Sequence, residues 1–320
     1  MSKKDDFVNL HLHTEYSLMD SVIRIPQLAD IIKDYNQSSV AITDHGSVGG
    51  WYEFQSVLSR TDIKPIFGCE FYCKETYEKP KDSTRFHLVV LAKNNEGLKQ
   101  INRMVRVANN HFYYKPLLPY PYLFEHPDDI FITTACALGS IGQSFNPAMK
   151  NIPSENAEVF LNKLLDVFGK DNVACEFQFH PDWVENNYNV QSVINERLLN
   201  LCDIIQPKYK IVTCDSHFLD EDDRNVRRRL QADGYKKQYS DQYESLKSNC
   251  VGNSELVYKF AEECEFPKEE VTHMIKNTST ISDLCNAEFQ LNYGRVIPKF
   301  DKHEELKANF MQRKRKKLIK

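Results

Sequence analysis

Short apolar runs rich in β-branched and aromatic residues alternate with longer segments whose apolar positions recur at helical spacing. The apolar runs predict seven strands: Phe7–His13, Ser39–Thr43, Lys64–Tyr72, His87–Ala92, Ile130–Ala135, Val173–Phe179 and Lys210–Cys214. The helical spacing predicts six helices: Ile25–Tyr35, Trp51–Arg60, Asn95–Asn109, Ser154–Phe168, Val190–Ile205 and Asp220–Ala232. Strands that alternate with helices indicate βα units and a largely parallel sheet, so we expect one seven-stranded α/β barrel-like domain.

The pattern changes near residue 236, after which two helical segments follow without a further strand: Ser254–Glu263 and Lys268–Cys285. We therefore expect a barrel over 1–235, a helical annex packed on it over 236–300, and a basic tail over 301–320. The tail contains the run Arg313–Lys317. A solvated surface is the simpler interpretation of such a charge run, and phosphate contact is the alternative.

Composition narrows the class of protein. Hydrophobic residues make up 41 % and charged residues 27 % of the 320 positions, as in ordinary globular chains. No apolar stretch has the ~18 residues of a membrane span, and the N-terminus has no apolar signal core. Nine cysteines without a CxxC pair favour free thiols in a cytoplasmic protein. The net charge of −4 means that any contact with nucleic acid must be local.

Candidate metal ligands follow the predicted strands. His11 and His13 share one face of the first strand, at the end where α/β barrels assemble their active sites. Other donors stand at or near the ends of later strands: Asp44, His45, Glu70, Cys136, His180, Asp215 and His217. Each alone could be a turn residue, an ion-pair partner or a small core residue. Together, nitrogen, oxygen and sulfur donors favour Zn²⁺, Mn²⁺ or Fe²⁺, and two ions ~3.5–4 Å apart suit phosphate-ester hydrolysis.

Six segments of the chain resemble the PHP (polymerase and histidinol phosphatase) family, in particular the N-terminal PHP domains of bacterial DNA polymerase III α subunits. They are FVNLHLHTEYSLMDS at 7–21, VAITDHGSVGGWYEF at 40–54, IKPIFGCEFY at 63–72, FHLVVLAKNNEGLKQI at 86–101, YYKP at 113–116 and IVTCDSHFL at 211–219. The resemblance extends over about 7–300. It implies a distorted seven-stranded βα barrel, which agrees with the fold predicted from the pattern.

The resemblance also implies nine metal positions, arranged around two or three divalent ions. One ion would be held by His11, His13, Glu70 and Asp215, which are the predicted catalytic residues and would act through metal-activated water. A second would be held by Glu70, His87 and Cys136, and a third by Asp20, His45 and His217. Asp20 stands where other branches of the family have histidine. His87 is implied by the resemblance alone, because it begins its predicted strand.

Residues around the nine positions are weaker candidates. Asp44 could orient a ligand through a hydrogen bond, as carboxylates beside metal sites often do. Candidate substrate contacts are His180, Tyr16, Tyr114, Lys115 and Arg24, for which packing or solvation is the alternative. The run Arg227–Arg229 lies on a predicted helix, so the three side chains cannot share a face, and we assign it no site role.

The expected function is that of a metal-dependent phosphoesterase, a 3′–5′ exonuclease acting on single-stranded or frayed DNA. The alternatives are a phosphatase for a small molecule or nucleotide, and a non-catalytic assembly module of a split replicative polymerase. Expected partners are DNA and a replicative polymerase or another replisome protein, without a membrane. The segment Tyr293–Phe300 resembles the joint that leads to the polymerase palm, and the sequence ends 20 residues later, so we expect no polymerase activity.

Overall fold

The computed structural model describes residues 5–78, 84–146, 153–235 and 246–289. The predicted tail over 301–320 and the segment Tyr293–Phe300 lie outside these ranges. The division into barrel, annex and tail therefore remains a prediction. Within the described part of the chain, no helix is long and apolar enough to cross a membrane.

Nine strands and ten α-helices are present among the described residues. The strands are β1 Ser39–Ile42, β2 Lys64–Lys74, β3 Phe86–Ala92, β4 Leu117–Pro119, β5 Ile130–Thr133, β6 Val173–Phe177, β7 Val184–Glu185, β8 Tyr188–Asn189 and β9 Tyr209–Val212. The helices are α1 Ile25–Asp34, α2 Trp51–Leu58, α3 Asn95–Asn110, α4 Tyr120–Phe124, α5 Ser140–Phe145, α6 Ala157–Phe168, α7 Val190–Ile205, α8 Glu221–Tyr235, α9 Ser254–Glu263 and α10 Lys268–Leu284. The α/β fold class is thus confirmed.

Seven of the strands form one curled sheet in the order β1-β2-β3-β5-β6-β9, with β4 paired to β2. β3 is antiparallel to both of its neighbours, whereas the other strand pairs of this sheet are parallel. The prediction of a largely parallel sheet is therefore wrong for β3. Only residues 75–85 join β2 to β3, and a parallel pair needs a crossover of a dozen or more residues.

The predicted first strand, Phe7–His13, is instead an extended segment without a continuous ladder. The Leu12 N–H donates to the Thr43 hydroxyl, and the Val8 N–H donates to the Thr278 hydroxyl, so side chains replace strand partners. The segment still binds both edges of the sheet. Ala41 N donates to Asn9 O beside β1, and His13 N donates to Ser216 O just beyond β9. This segment links the two sheet edges and makes the barrel distorted.

Local sequence explains the helix bounds closely. Asn156 caps α6 by accepting from Val159 N, so α6 starts three residues after the predicted Ser154. Gly169 ends the same helix with a φ of +81°, a conformation that glycine adopts without a Cβ penalty. α10 packs against β9, where Lys210 Nζ lies 2.5 Å from Glu270 Oε2. All nine cysteines lie in the described ranges and are unpaired, as predicted.

Candidate metal centre

The nine predicted ligands meet at one end of the curled sheet. They come from the first segment, from the loop before α1, from β2 and β3, and from the turns after β1, β5 and β9. The antiparallel direction of β3 explains why His87 belongs there. The start of β3 lies beside the end of β2, with His87 opposite Tyr72 in the register. In this strand the N-terminal end therefore reaches the rim where the parallel strands end.

The first ligand group surrounds the carboxylates of Glu70 and Asp215. His11 Nε2 lies 3.2 Å from Glu70 Oε1 and 3.2 Å from Asp215 Oδ1. His13 Nε2 lies 3.3 Å from Glu70 Oε2 and 3.2 Å from the same Asp215 oxygen. Two imidazoles and two carboxylates thus enclose one small volume, in which a single cation could contact all four side chains.

The second group shares Glu70 with the first. His87 Nδ1 lies 2.9 Å from Glu70 Oε1. The Cys136 sulfur lies 3.6 Å from His87 Nδ1 and 3.9 Å from the same glutamate oxygen. A nitrogen, an oxygen and a sulfur donor therefore lie together at Glu70 Oε1, the oxygen that His11 also approaches.

The third group is centred on Asp20. Its Oδ2 lies 2.8 Å from His45 Nε2 and 3.3 Å from His217 Nε2. The other nitrogen of His45, Nδ1, lies 2.7 Å from Glu70 Oε2. His45 therefore joins this group to the first two, and the three groups form one continuous cluster.

Several buried polar atoms of the cluster could bind a cation, because they have no hydrogen-bond partner among the described residues. Five buried atoms of the cluster make no hydrogen bond within the described residues: His11 Nε2, His13 Nε2, His45 Nδ1, Glu70 Oε2 and Asp215 Oδ1. Unpaired buried polar atoms are costly and rare in native proteins. Because these five converge with a mixed set of N, O and S donors, the residues present fit transition-metal ions.

Hydrogen bonds on the outer nitrogens hold the rings in the ligand tautomer. His11 Nδ1 lies 2.7 Å from Glu176 Oε1 and donates its proton to that buried carboxylate. His13 Nδ1 donates to the Ser17 hydroxyl at 3.0 Å, and Ser17 donates in turn to Asp44 at 2.6 Å. In each ring Nε2 is the nitrogen that faces the cluster, which is the usual arrangement behind metal-binding histidines.

Attraction between the histidine rings and the carboxylates determines which groups of the cluster are charged. Burial lowers the pKa of His11 and His45, but nearby carboxylates outweigh it. The net pKa of His11 is well above its usual value, mainly because of Asp215, and that of His45 rises to about 10, mainly because of Glu70. Without metal, both rings therefore carry protons where ligands need lone pairs. Binding of metal must release protons, as is general for such sites.

The carboxylates shift in the opposite direction. Burial raises the pKa of Glu70, but His87 and His11 lower it well below its usual value. Burial likewise raises the pKa of Asp20, and His217 and His45 outweigh that effect. These two carboxyl groups are therefore ionised over the physiological range and can hold cations without first losing a proton.

Left-handed backbone conformations occur at, or directly before, three of the predicted ligands and set their orientation. Asp215 has a φ of +47°, and the residues before Asp20 and Cys136, which are Met19 and Ala135, have φ of +66° and +58°. Left-handed backbone costs of the order of 1–3 kcal/mol at residues other than glycine. Such conformations persist where the surrounding structure enforces them, and they cluster at functional sites.

The cluster opens into a pocket of about 340 Å³. Three cationic side chains line it: Arg85, Lys115 and Arg227. Arg227 donates to the Asp20 carboxylate at 2.8 Å and to its backbone oxygen at 2.6 Å. Lys115 comes from the segment that packs on the turn after β1, where a Cβ at Gly46 would lie 2.7 Å from Pro116 Cγ. Donors for metals and cations for an anionic substrate thus share one cavity.

Only some of the five candidate substrate contacts line the pocket. Lys115 and His180 line the pocket, and the His180 ring is bonded to Ser248 and Gln178. Tyr114 precedes Lys115 and is 75 % exposed. Tyr16 does not line the pocket; its hydroxyl donates to Glu53 at 2.8 Å. Arg24 is exposed at the start of α1, also away from the pocket.

The sequence analysis missed two side chains that contact the predicted ligands. Glu176 is buried on β6 and accepts from His11, Thr133 and Thr213. A single charged residue in the apolar run Val173–Phe179 was the signal that could have identified it. Arg227 was assigned no site role, and that is wrong. Its neighbours on α8 do diverge as predicted, but Arg227 itself is buried and bonded to Asp20.

A curled α/β sheet thus carries at its rim a cluster of N, O and S donors of the kind that binds transition-metal ions. The model of the PHP domain family matches residues 9–180. Since this is more than half of the chain, the chain belongs to the PHP domain family.

Curated relatives are DNA polymerase III α subunits. The subunit of Aquifex aeolicus is 34 % identical over 250 residues, which is 74 % of this chain and 20 % of the relative. That of Helicobacter pylori is 28 % identical over 311 residues, covering 93 % of this chain and 24 % of the relative. The chain thus spans a fifth to a quarter of their length. A solved structure described as a metal-dependent phosphoesterase of Bifidobacterium adolescentis aligns at a TM-score of 0.42 and 12 % identity, covering 80 % of this chain and 96 % of that one.

Proposed function

We propose that this chain is a metal-dependent phosphoesterase that removes nucleotides from the 3′ end of single-stranded or frayed DNA. The observation that carries the proposal is the convergence of metal-type donors around Glu70 in a pocket lined by Arg85, Lys115 and Arg227. Sites that hydrolyse phosphate esters combine ions for the reacting oxygens with cationic side chains for the phosphate.

We assign two or three zinc, manganese or iron ions to the three ligand groups. His11, His13, Glu70 and Asp215 would hold one ion, and Glu70, His87 and Cys136 would hold a second. Asp20, His45 and His217 would hold a third ion, if three are bound. Ions of this kind act as Lewis acids and lower the pKa of water. Elemental analysis of protein purified without chelator would identify them. A content well below one ion per chain after reconstitution would contradict the assignment.

The protein's own residues keep the ligands in place. Glu176 and Ser17 hold the Nδ1 protons of His11 and His13, so that both rings keep their tautomer. We expect no covalent intermediate on the protein. The Ser17 hydroxyl is engaged by Asp44, His13 and the His45 amide, and Cys69 is fully buried.

Two observations favour DNA over a small phosphate ester. The relatives are named DNA polymerase III subunits. Beside Lys115, the side chains of Phe112 and Tyr114 are 60 % and 75 % exposed, and aromatic faces of this kind stack on unpaired bases. The net charge of −4 counts slightly against DNA, so we expect modest binding, through the cations that line the pocket, that weakens with salt. We further propose a cytoplasmic protein that acts with a replicative polymerase or another replisome protein.

A 5′-labelled single-stranded oligonucleotide tests the activity. With Mn²⁺, Zn²⁺ or Fe²⁺, we expect shortening from the 3′ end with release of nucleoside 5′-monophosphates, and slowing by a 3′-phosphorothioate cap. His13→Ala and Asp215→Asn should each remove nearly all hydrolysis. Lys99→Gln, on the exposed face of α3, is the matched control and should leave it unchanged.

The other outcomes separate the alternatives. Fast turnover of p-nitrophenyl phosphate with an intact oligonucleotide would identify a small-molecule or nucleotide phosphatase. Turnover of neither substrate, together with a stable complex with a polymerase chain, would identify an assembly module. An intact oligonucleotide with all three ions would overturn the nuclease proposal.

A further inference from the structure

Asp20 lies in an exposed turn, away from the strands that carry other predicted ligands. The Asp20 N–H donates to Ser17 O at 3.0 Å and closes the turn, at whose tip Leu18 and Met19 are 78 % and 43 % exposed. Met19 has a φ of +66°, a conformation that persists where the surrounding structure enforces it. The position of the Asp20 carboxylate therefore depends on the contacts that Asp20 itself makes.

Two buried side chains of α8 make such contacts. Arg227 Nε donates to the Asp20 backbone oxygen at 2.6 Å, and Arg227 Nη2 donates to Asp20 Oδ1 at 2.8 Å. Gln231 lies four residues later on the same helix face and donates to the same Oδ1 at 3.1 Å. With Oδ1 engaged by α8, Oδ2 is the oxygen that faces His45 and His217.

We infer that Arg227 and Gln231 are positioning residues for the third ion, so that α8 determines whether the protein binds two ions or three. The inference rests on the proposed function, which assigns that ion to Asp20, His45 and His217. A guanidinium presents its donors in a rigid fork, and here the fork spans the backbone oxygen and the carboxylate of one residue. Holding both groups at once fixes the direction of Oδ2, the atom left for the ion.

The first two ions should not depend on α8 in this way. Glu176, which holds the His11 ring, lies on β6, and the ligands Glu70 and His87 lie on β2 and β3. These side chains are fixed by the sheet. Loss of the contacts from α8 is therefore expected to empty the third group and to leave the other two occupied.

The charge of Arg227 and its geometry act on the third ion in opposite directions. A cation 2.8 Å from Oδ1 repels an ion bound at Oδ2, so removal of the charge alone would tighten binding of that ion. Loss of the fork would let the Asp20 side chain rotate away from its partners and weaken binding. We expect the geometric effect to be larger, because Asp20 lies in an exposed turn.

The test counts ions in variants that separate charge from geometry. Isothermal titration calorimetry of metal-free protein with Mn²⁺ gives the number and affinity of the ions, and elemental analysis of the loaded protein checks the number. Arg227→Gln loses charge and fork, whereas Arg227→Lys keeps the charge and loses the fork. Each should bind the third ion about tenfold or more weakly and keep the other two, with a smaller loss for Gln231→Leu. Arg229→Gln, exposed on the same helix, should match wild type.

A second comparison shows whether Arg227 acts through Asp20. In Asp20→Asn, which changes the ligand itself, adding Arg227→Gln should reduce metal binding no further, and circular dichroism should show an intact fold. A further loss there, a tighter third ion in Arg227→Gln, or wild-type affinity in Arg227→Lys would overturn the inference. A wild type that binds two ions in total would also overturn it and leave the proposed function standing. A wild type that binds none would overturn the proposed function, and the inference with it.

Discussion

At the scale of single residues, the site depends on where the imidazole protons are held. The Glu176 carboxylate is fully enclosed and also accepts from Thr213 at 2.5 Å and Gln178 at 3.1 Å. A carboxylate with this many donors is fixed in place, and it fixes the ring of His11 in turn. The unbonded Nε2 of His11 is therefore aimed before any ion binds, which reduces the ordering cost of metal binding.

Glu176→Gln should weaken metal binding without unfolding the protein. The amide keeps an oxygen for the His11 proton but loses the charge that makes the ring a strong ligand. Changes to such outer partners typically cost 10–100-fold in metal affinity. Competition with a chelating dye measures the constant, and circular dichroism checks the fold. Glu158→Gln, exposed on α6, is the control. An unchanged affinity for Glu176→Gln would show that Glu176 has no part in ligand positioning.

His180 should make the stability of the protein sensitive to acid. Burial lowers its pKa to about 4, against the opposing effect of Asp215, from 6.5. Between these values the unfolded chain binds the proton and the folded chain does not, so stability falls as pH falls through this window. At pH 5 the loss is about 2 kcal/mol relative to pH 7. The free energy of unfolding, measured in urea at pH 7 and at pH 5, should therefore fall by about 2 kcal/mol less in His180→Gln than in wild type. In the exposed control His273→Gln it should fall by as much as in wild type.

The sequence could predict the donors of the site but not their partners. Spacing and resemblance pointed to His11, Glu70 and Asp215 because donor types recur after strands. Neither Glu176 nor Arg227 carries such a pattern. A single charge in an apolar run marks Glu176 as unusual, but its role follows only from the residue opposite, and 165 residues separate it from His11.

At the scale of elements, periodicity located the strands and helices but not strand direction. Bounds of α7 and α9 agree with the prediction, because each helix has an apolar stripe and an asparagine cap. The direction of β3 depends on the length of the connection from β2. The alternation of apolar runs with helical segments does not show strand direction. In a parallel β3, His87 would lie at the end of the sheet opposite the other predicted ligands. Strands as short as β4 contain too few residues to show the alternation of positions that predicts a strand.

Thr43→Val should loosen the segment that carries His11 and His13. The Thr43 hydroxyl accepts from Leu12 N at 2.8 Å and donates to Leu12 O at 3.0 Å. Without it the buried Leu12 N–H would lose its partner, whereas Leu12 O would keep its bond from the Thr43 N–H at 2.9 Å. We expect a loss of about 1–3 kcal/mol in the free energy of unfolding. Metal affinity should fall as well. Thr280→Val, whose hydroxyl contacts only Lys276 O in α10, is the control. A stability equal to that of the control would contradict this role.

At the scale of the whole molecule, the site sits where the two edges of the sheet are joined. The first segment binds β1 on one side and the turn after β9 on the other. Metal ligands lie on all three: His13, His45 and Asp215. Ions bound by the groups that contain these ligands would therefore cross-link parts of the barrel that the backbone ladder joins only weakly. This couples metal binding to the stability of the entire domain.

Removing metal should consequently destabilise the protein as a whole. A ligand that binds only the folded state adds about 4 kcal/mol at 1,000 times its dissociation constant, for each site. We expect thermal unfolding at a clearly lower temperature after treatment with EDTA, and recovery when Mn²⁺ or Zn²⁺ is restored. In Asp215→Asn the same ions should give a much smaller recovery, because the first group loses a charged ligand. An unfolding temperature that does not respond to EDTA or to added ions, in protein shown to contain metal, would mean that the ions do not join the sheet edges.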